Sequence, residues 1–282
     1  MGNDGGHSHS AAPRSLLLRT AGVVRQAAPP AVSGGKAQPA APHSCRAGRS
    51  PQAAGLAVGQ GRCAEFDELH AKIRKSMVRI RTVRPNHAIA VFPGTIILSG
   101  NKFCYIIAHK QAFLGGPGTK YEIILPDNQG STIELNIKDV KMTKSIVVFF
   151  IFNEFHDKIV EAVDFNEAQV LVNEEVYTLC FHERAVLPSF LAKGRVNLAV
   201  QYQFIHDCSG HLFAAYGSPV FNANGFFAGI TYKECGALVA LDIESVKKIL
   251  WAVHPETENQ ELHDVLLNLK AKGEALQRIS SF

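Results

Sequence analysis

The sequence predicts an all-β protein with helical ends, on three observations. About ten short segments rich in apolar and β-branched residues lie between Met77 and Asp242. Turn signals separate them, namely Ser99-Gly100-Asn101, Pro126-Asp127-Asn128 and Ala223-Asn224-Gly225. Helical periodicity is confined to the segments on either side. Many short strands with regular turns point to an antiparallel barrel or sandwich.

Residues 1–64 come first and differ in texture. They are rich in Ala, Pro, Gly and Ser, lack aromatic residues, and carry seven Lys/Arg against one acid. Such a segment buries too little surface to offset its ordering entropy, so a disordered tail is expected. Within it, SLLLRTAGVVRQ is apolar with Arg and no acid. Two readings stand: an organelle transit peptide or a low-complexity tail. A secretory signal is disfavoured, because Arg19 breaks the apolar run. The N-myristoylation pattern fails at Gly6.

The domain proper is expected over 65–253, with a helical extension over 254–282. Phe66, Leu69 and Ile73 fall on one face of a helix over 65–76. Met77–Val83 sets Val78 and Ile80 against Arg79 and Arg81, the alternation of a half-buried strand. Strand segments follow at Ala88–Leu98, Phe103–Ala108, Glu122–Leu125, Thr132–Ile137, Ile146–Phe152, Val176–Phe181, Gly194–Ala199, Ser218–Phe221, Phe226–Ile230 and Ala237–Asp242. Asn224-Gly225 between two apolar runs is the strongest hairpin signal. Val246, Ile249, Leu250 and Val253 mark a helix over 243–253. Leu262, Val265, Leu266, Leu269, Leu276 and Ile279 mark another over 261–279, interrupted at Gly273.

Composition excludes several classes. The 282 residues, 46% hydrophobic and 19% charged, suit one large domain or two small ones. The longest apolar run, Ile146–Phe152, is far short of the roughly 20 residues of a membrane span. The net charge of +4 comes from the tail, and residues 65–282 carry 22 bases and 24 acids. A nucleic-acid surface needs a dense basic patch, so that partner is not expected. Cys45, Cys63, Cys104, Cys180, Cys208 and Cys235 form no C-x-x-C pair. Free thiols in a reducing compartment follow, hence an intracellular protein: cytoplasmic or nuclear, or mitochondrial or chloroplast if the tail is a transit peptide. His206-Asp207-Cys208-Ser209-Gly210-His211 lacks a second ligand cluster at zinc spacing and reads as a polar loop. No cofactor or metal is expected.

Several segments carry a resemblance. Gly94-Thr95-Ile96-Ile97-Leu98 followed by Asn101-Lys102-Phe103, Ile106-Ile107-Ala108-His109, Lys144-Ser145-Ile146-Val147-Val148-Phe149, Val172–Phe181, Leu191-Ala192-Lys193-Gly194-Arg195-Val196, Gly217-Ser218-Pro219-Val220-Phe221-Asn222 and Val239–Val246 come in order at plausible spacings. Together they resemble the trypsin-like serine peptidases, most closely the HtrA-type branch, over roughly Met77–Leu250. The resemblance implies two six-stranded antiparallel β-barrels. It places the catalytic triad at His109, Ser145 and Tyr216, with oxyanion-hole amides at Ala214 and Tyr216. Only the histidine is retained. In that chemistry the acid orients the base and the base deprotonates a serine, and losing the acid alone costs about 10⁴ in rate. Tyr216 carries its hydroxyl several ångströms too far from the backbone, and Ser145 cannot stabilise an imidazolium. Ala214 replaces the glycine two residues before the nucleophile, where an unusual backbone conformation is needed.

The expectation is therefore an inactive peptidase homologue that binds a protein or an extended peptide, with no nucleic-acid or membrane partner. The alternative is an active serine endopeptidase using Ser218 with His109. That register displaces the Pro-Val-Phe-Asn match by two residues. Asp139 is then the candidate replacement acid. His109 also has a purely structural reading, as a histidine hydrogen-bonded to the barrel.

Overall fold

The computed structural model describes residues 56–126, 131–152, 160–165, 169–180, 190–208, 216–234 and 237–280. Helix α1 (Leu56–Arg74) leads into the first sheet. Its strands are β1 (Met77–Val83), β2 (Ile89–Ser99), β3 (Phe103–His109), β4 (Lys120–Ile124), β5 (Thr132–Leu135), β6 (Val140–Met142) and β7 (Ile146–Phe152). The second sheet contains β8 (Glu175–Cys180), β9 (Phe190–Val200), β10 (Gln203–His206), β11 (Pro219–Asn222), β12 (Phe227–Glu234) and β13 (Ala237–Asp242). Helices α2 (Ile243–Val253) and α3 (Leu262–Ser280) close the described chain. Among the described residues no helix is long and apolar enough to cross a membrane.

The β-rich class holds, and one of the two expected barrels is closed. The second sheet closes in the order β10-β13-β12-β11-β8-β9. The first is a seven-stranded sheet, β5-β4-β1-β2-β3-β7-β6, curled as a half-barrel with edges at β5 and β6. The six-stranded barrel expected there gains the three-residue strand β6, and among the described residues no strand pairing closes it.

Strand β3 explains how the pieces pack. Its apolar run FCYIIAH is buried on both faces, as a strand between two cores must be. Cys104, Ile106 and Ala108 point into a core on one side with Ile80, Ile96, Val147 and Phe149. Phe103, Tyr105 and Ile107 point the other way, into a core shared with Leu179, Phe221, Phe227 and Ile230 of the closed barrel. Ile73 of α1, Val246 and Leu250 of α2, and Val265 and Leu269 of α3 complete it. A third cluster, with Val176, Val196, Phe204, Val220, Ala228 and Ala240, fills the barrel interior. Its small side chains match the close approach of strands, and at Gly229 a Cβ would lie 2.2 Å from the Leu241 carbonyl oxygen.

The strongest hairpin signal is realised at β11–β12. Gly225 has φ +78, and Asn222 Oδ1 accepts from the amides of Asn224 and Phe226. Asp242 caps α2 by accepting from Ser245 N at 2.8 Å. Two boundaries move. Helix α1 begins at Leu56, inside the segment expected to be tail. Helix α3 runs unbroken through Gly273, where a Cβ would lie 2.6 Å from the Phe103 ring. The Gly is a packing requirement and not a breaker.

Phe103 is fully buried and stacks on Phe150 with centroids 5.6 Å apart. Phe103→Ala is expected to cost about 3–5 kcal/mol, and Gly273→Ala about 1–3 kcal/mol through overpacking. Urea unfolding followed by fluorescence measures both. A Gly273→Ala protein as stable as the parent would show that α3 is loosely held.

Candidate functional site

The site is built where β3 and β7 of the first sheet meet the start of β11. Register places His109 opposite Ile146 at the ends of β3 and β7. This brings Ser145 beside it, and the Ser145 carbonyl accepts from Lys110 N at 2.8 Å. From the barrel side, Gly217 enters with φ +87. A Cβ at Gly217 would lie 3.0 Å from both His109 N and the Pro93 carbonyl oxygen, so glycine is demanded by conformation and by contact. Gly217 N donates to Thr231 O, and Thr231 N donates to Ser218 O, each at 2.8 Å. These bonds tie the segment to β12.

His109 and Tyr216 come together. Their ring centroids are 5.1 Å apart with planes inclined by 32°. The phenol ring of the half-buried Tyr216 thus covers the imidazole. His109 has a second partner that decides its chemistry. Its Nδ1 accepts from the backbone N–H of Gln111 at 3.2 Å and caps the short 3-10 turn Lys110–Phe113. A ring nitrogen that accepts carries no proton, so in the neutral ring the proton resides on Nε2. A triad base needs the reverse: Nδ1–H donating to the acid and a free lone pair on Nε2. Burial also pushes the His109 pKa down to about 4. The ring is neutral at pH 7, in the tautomer that donates from Nε2.

The acid position offers no compensation. Ser145 makes no side-chain hydrogen bond to His109, whose Nδ1 is already taken. Asp139 is exposed at the end of the 3-10 turn Ile137–Asp139 and makes no hydrogen bond or ion pair with the histidine. Ser218 is 1% exposed, and its hydroxyl has no hydrogen-bond partner among the described residues. Ala214 lies outside the described residues, so the second oxyanion-hole position does too.

One sequence reading is corrected. His206 and Cys208 do not belong to a polar surface loop, for both are buried. His206 ends β10, with Nε2 3.1 Å from the Thr231 hydroxyl. Asp207 Oδ1 accepts from Arg195 N, and Cys208 Sγ donates to Val176 O. The backbone of Cys208 presses on Gly194, where a Cβ would lie 2.4 Å from Cys208 N. The motif therefore closes the barrel between β9 and β10. A register shift at Ile205/His206 accompanies it, and the glycine in Lys193-Gly194-Arg195 is its trace in the sequence. His211 lies outside the described residues.

Cys104, Cys180 and Cys208 are buried free thiols, and burial pushes the last two up to about 12. Such thiols are unreactive. Cys45 and Cys235 fall outside the described residues, as does the side chain of Cys63. Among the described residues no three His, Cys, Asp or Glu side chains stand together as a metal site. Compared with known proteins, the chain matches no protein-family model and no curated protein.

Two histidines held neutral make stability depend on pH. His109 and His206 both titrate near 4 in the folded chain, against about 6.5 unfolded, chiefly because burial disfavours the charged ring. The unfolded chain binds the extra proton, so their contribution is full above about pH 6.5 and is lost as pH falls toward 4. For the buried His206 the full loss is about 3 kcal/mol. His109 is more exposed and adds less. Urea midpoints taken from pH 7.5 to 4.5 should fall, and His206→Leu should flatten the fall. An unchanged slope in that variant would remove His206 as its source.

Proposed function

We propose that the chain is a hydrolytically inactive homologue of the trypsin-like serine peptidases that binds an extended peptide. The observation that carries the reading is the His109 side chain. Its Nδ1 is engaged by the Gln111 amide, and its face is covered by Tyr216. A histidine in this state is a cap and a packing surface, and no neighbour at Ser145 or Ser218 restores the base. The resemblance in sequence order from Gly94 to Val246 supports the family assignment, as does a β-rich fold with one closed six-stranded barrel.

The binding role rests on the backbone beside Tyr216. Strand β12 pairs with β13 through Glu234, whereas its pairing with β11 starts at Ile230. Thr231 is held on the β11 side by its bonds to Gly217 and Ser218. Beyond it, at Lys233–Glu234, the only strand partner among the described residues is β13. An extended peptide adding to this edge would exchange main-chain hydrogen bonds there, the mode of recognition called β-augmentation. Its side chains would run past Tyr216 and the half-buried His109.

Two experiments test the reading. The purified protein is expected not to react with a fluorophosphonate probe. Tyr216→Ser combined with Ser145→Asp and Ala214→Gly should move it toward reactivity. Labelling of the parent that is abolished by Ser218→Ala would instead establish an active peptidase. For binding, an array of extended peptides is screened by fluorescence polarisation, with hydrogen exchange on the hits. Hits should slow exchange in β12 and lose affinity when Lys233→Pro blocks the edge. Protection elsewhere, or no hit at millimolar peptide, overturns the binding role.

A further inference from the structure

A recess of about 450 Å³ lies between the β2–β3 turn and the C-terminal half of α3, away from His109. Ser99, Gly100, Asn101 and Phe103 form one wall, and Lys270, Glu274, Gln277 and Arg278 the other. The volume falls in the range of small-molecule sites.

Its walls are fixed. The Phe103 ring is fully buried beneath them and held by Tyr105 and Phe150. Gly100 and Gly273 press on that ring from the two walls, where a Cβ on either would lie 2.3 Å and 2.6 Å from it. Both approaches need glycine, so turn and helix are clamped on one aromatic floor and the recess is preformed.

Lys270, Glu274 and Arg278 recur every four residues on α3, the spacing at which helical ion pairs ordinarily form. None of the three forms an ion pair among the described residues. Neighbouring cations behave differently: Lys272 is paired with Glu256, and Lys247 with Glu244 and Glu261. The recess therefore presents two cations and one carboxylate beside the amide side chain of Asn101.

We propose that this recess binds a small organic oxyanion, a carboxylate- or phosphate-bearing molecule held between Lys270 and Arg278. Arg278 supplies a planar fork of donors and Lys270 a point charge, the usual pair for such groups. Asn101 and Ser99 supply neutral hydrogen bonds from the opposite wall. Glu274 opposes the ligand's charge and limits affinity.

The test uses the full chain, isotope-labelled and titrated separately with inorganic phosphate and with citrate at constant ionic strength, so that screening does not change. Saturable amide shifts are expected within residues 99–103 and 270–278. Lys270→Ala with Arg278→Ala should weaken binding at least about tenfold, one charge-assisted hydrogen bond's worth. Glu274→Gln should tighten it. All three side chains are exposed, so thermal unfolding of the variants should match the parent. The tighter of the two probes assigns phosphate or carboxylate. Shifts that do not saturate, or that survive the double substitution as an adventitious ion only, overturn the proposal. So does a Glu274→Gln protein that binds more weakly.

Discussion

The shared core between the half-barrel and the closed barrel is the constraint on which the rest of the structure depends. It draws side chains from both sheets and from α1, α2 and α3, so none of these contributing elements can move without opening it. Burying a large aromatic or aliphatic side chain there contributes about 1.5–3 kcal/mol. That is why the strands of the junction read as unbroken apolar runs. Strands β3 and β7 have no solvent face to make polar, since odd and even residues serve different cores. The chain ends are drawn in as well. Ile73 locks α1 against the sheets, and Leu262, Val265 and Leu269 do the same for α3.

This junction also dictates what the candidate site can do. Bringing β11 onto the end of β3 leaves no room for a side chain at Gly217, and the same approach puts Tyr216 over the His109 ring. The histidine then lies in an apolar setting where the charged form is penalised. A carboxylate at position 145 would offset that penalty, but a serine does not. With no acid to receive its Nδ1 proton, the ring turns that nitrogen to the Gln111 amide. Desolvation lowers the pKa of this half-buried histidine, and the cap takes its Nδ1 as an acceptor. Tyr216 completes the arrangement by supplying aromatic surface where a smaller side chain would leave a gap.

Much of this was legible in the sequence, for reasons that differ from residue to residue. The β-rich class followed from alternation and turn chemistry, and Asn224-Gly225 marked its hairpin through the need for positive φ. Segment order suggested one site for His109, Ser145 and Tyr216; the structure sets the Tyr216 ring against His109 and the Ser145 carbonyl against Lys110 N. Strands β6 and β10 were not legible: at three and four residues they are too short for a period to emerge. Gln203-Phe204-Ile205-His206 carries a histidine where alternation wants an apolar residue, and only the Thr231 hydroxyl across the barrel makes that position tolerable. Gly273 was misread because a helix period treats glycine as a break. Nothing local reveals that Phe103, far away in sequence, occupies the space of its missing side chain. The Gln111 cap was likewise invisible, since a backbone N–H leaves no mark on the residue that supplies it.

The buried polar atoms extend the same logic. Among the described residues Thr95 Oγ1, Thr119 Oγ1, His206 Nδ1 and Ser218 Oγ have no hydrogen-bond partner, and each such atom costs about 1–3 kcal/mol unless water or a ligand reaches it. Thr95 lies on β2, Thr119 just before β4, His206 at the end of β10 and Ser218 just before β11. Ser218 faces Thr231 across the β11–β12 ladder, and Thr231 in turn holds His206. A fold stabilised only by apolar burial gains nothing from a serine and a histidine in this place, and alanine and leucine would fill it at lower cost.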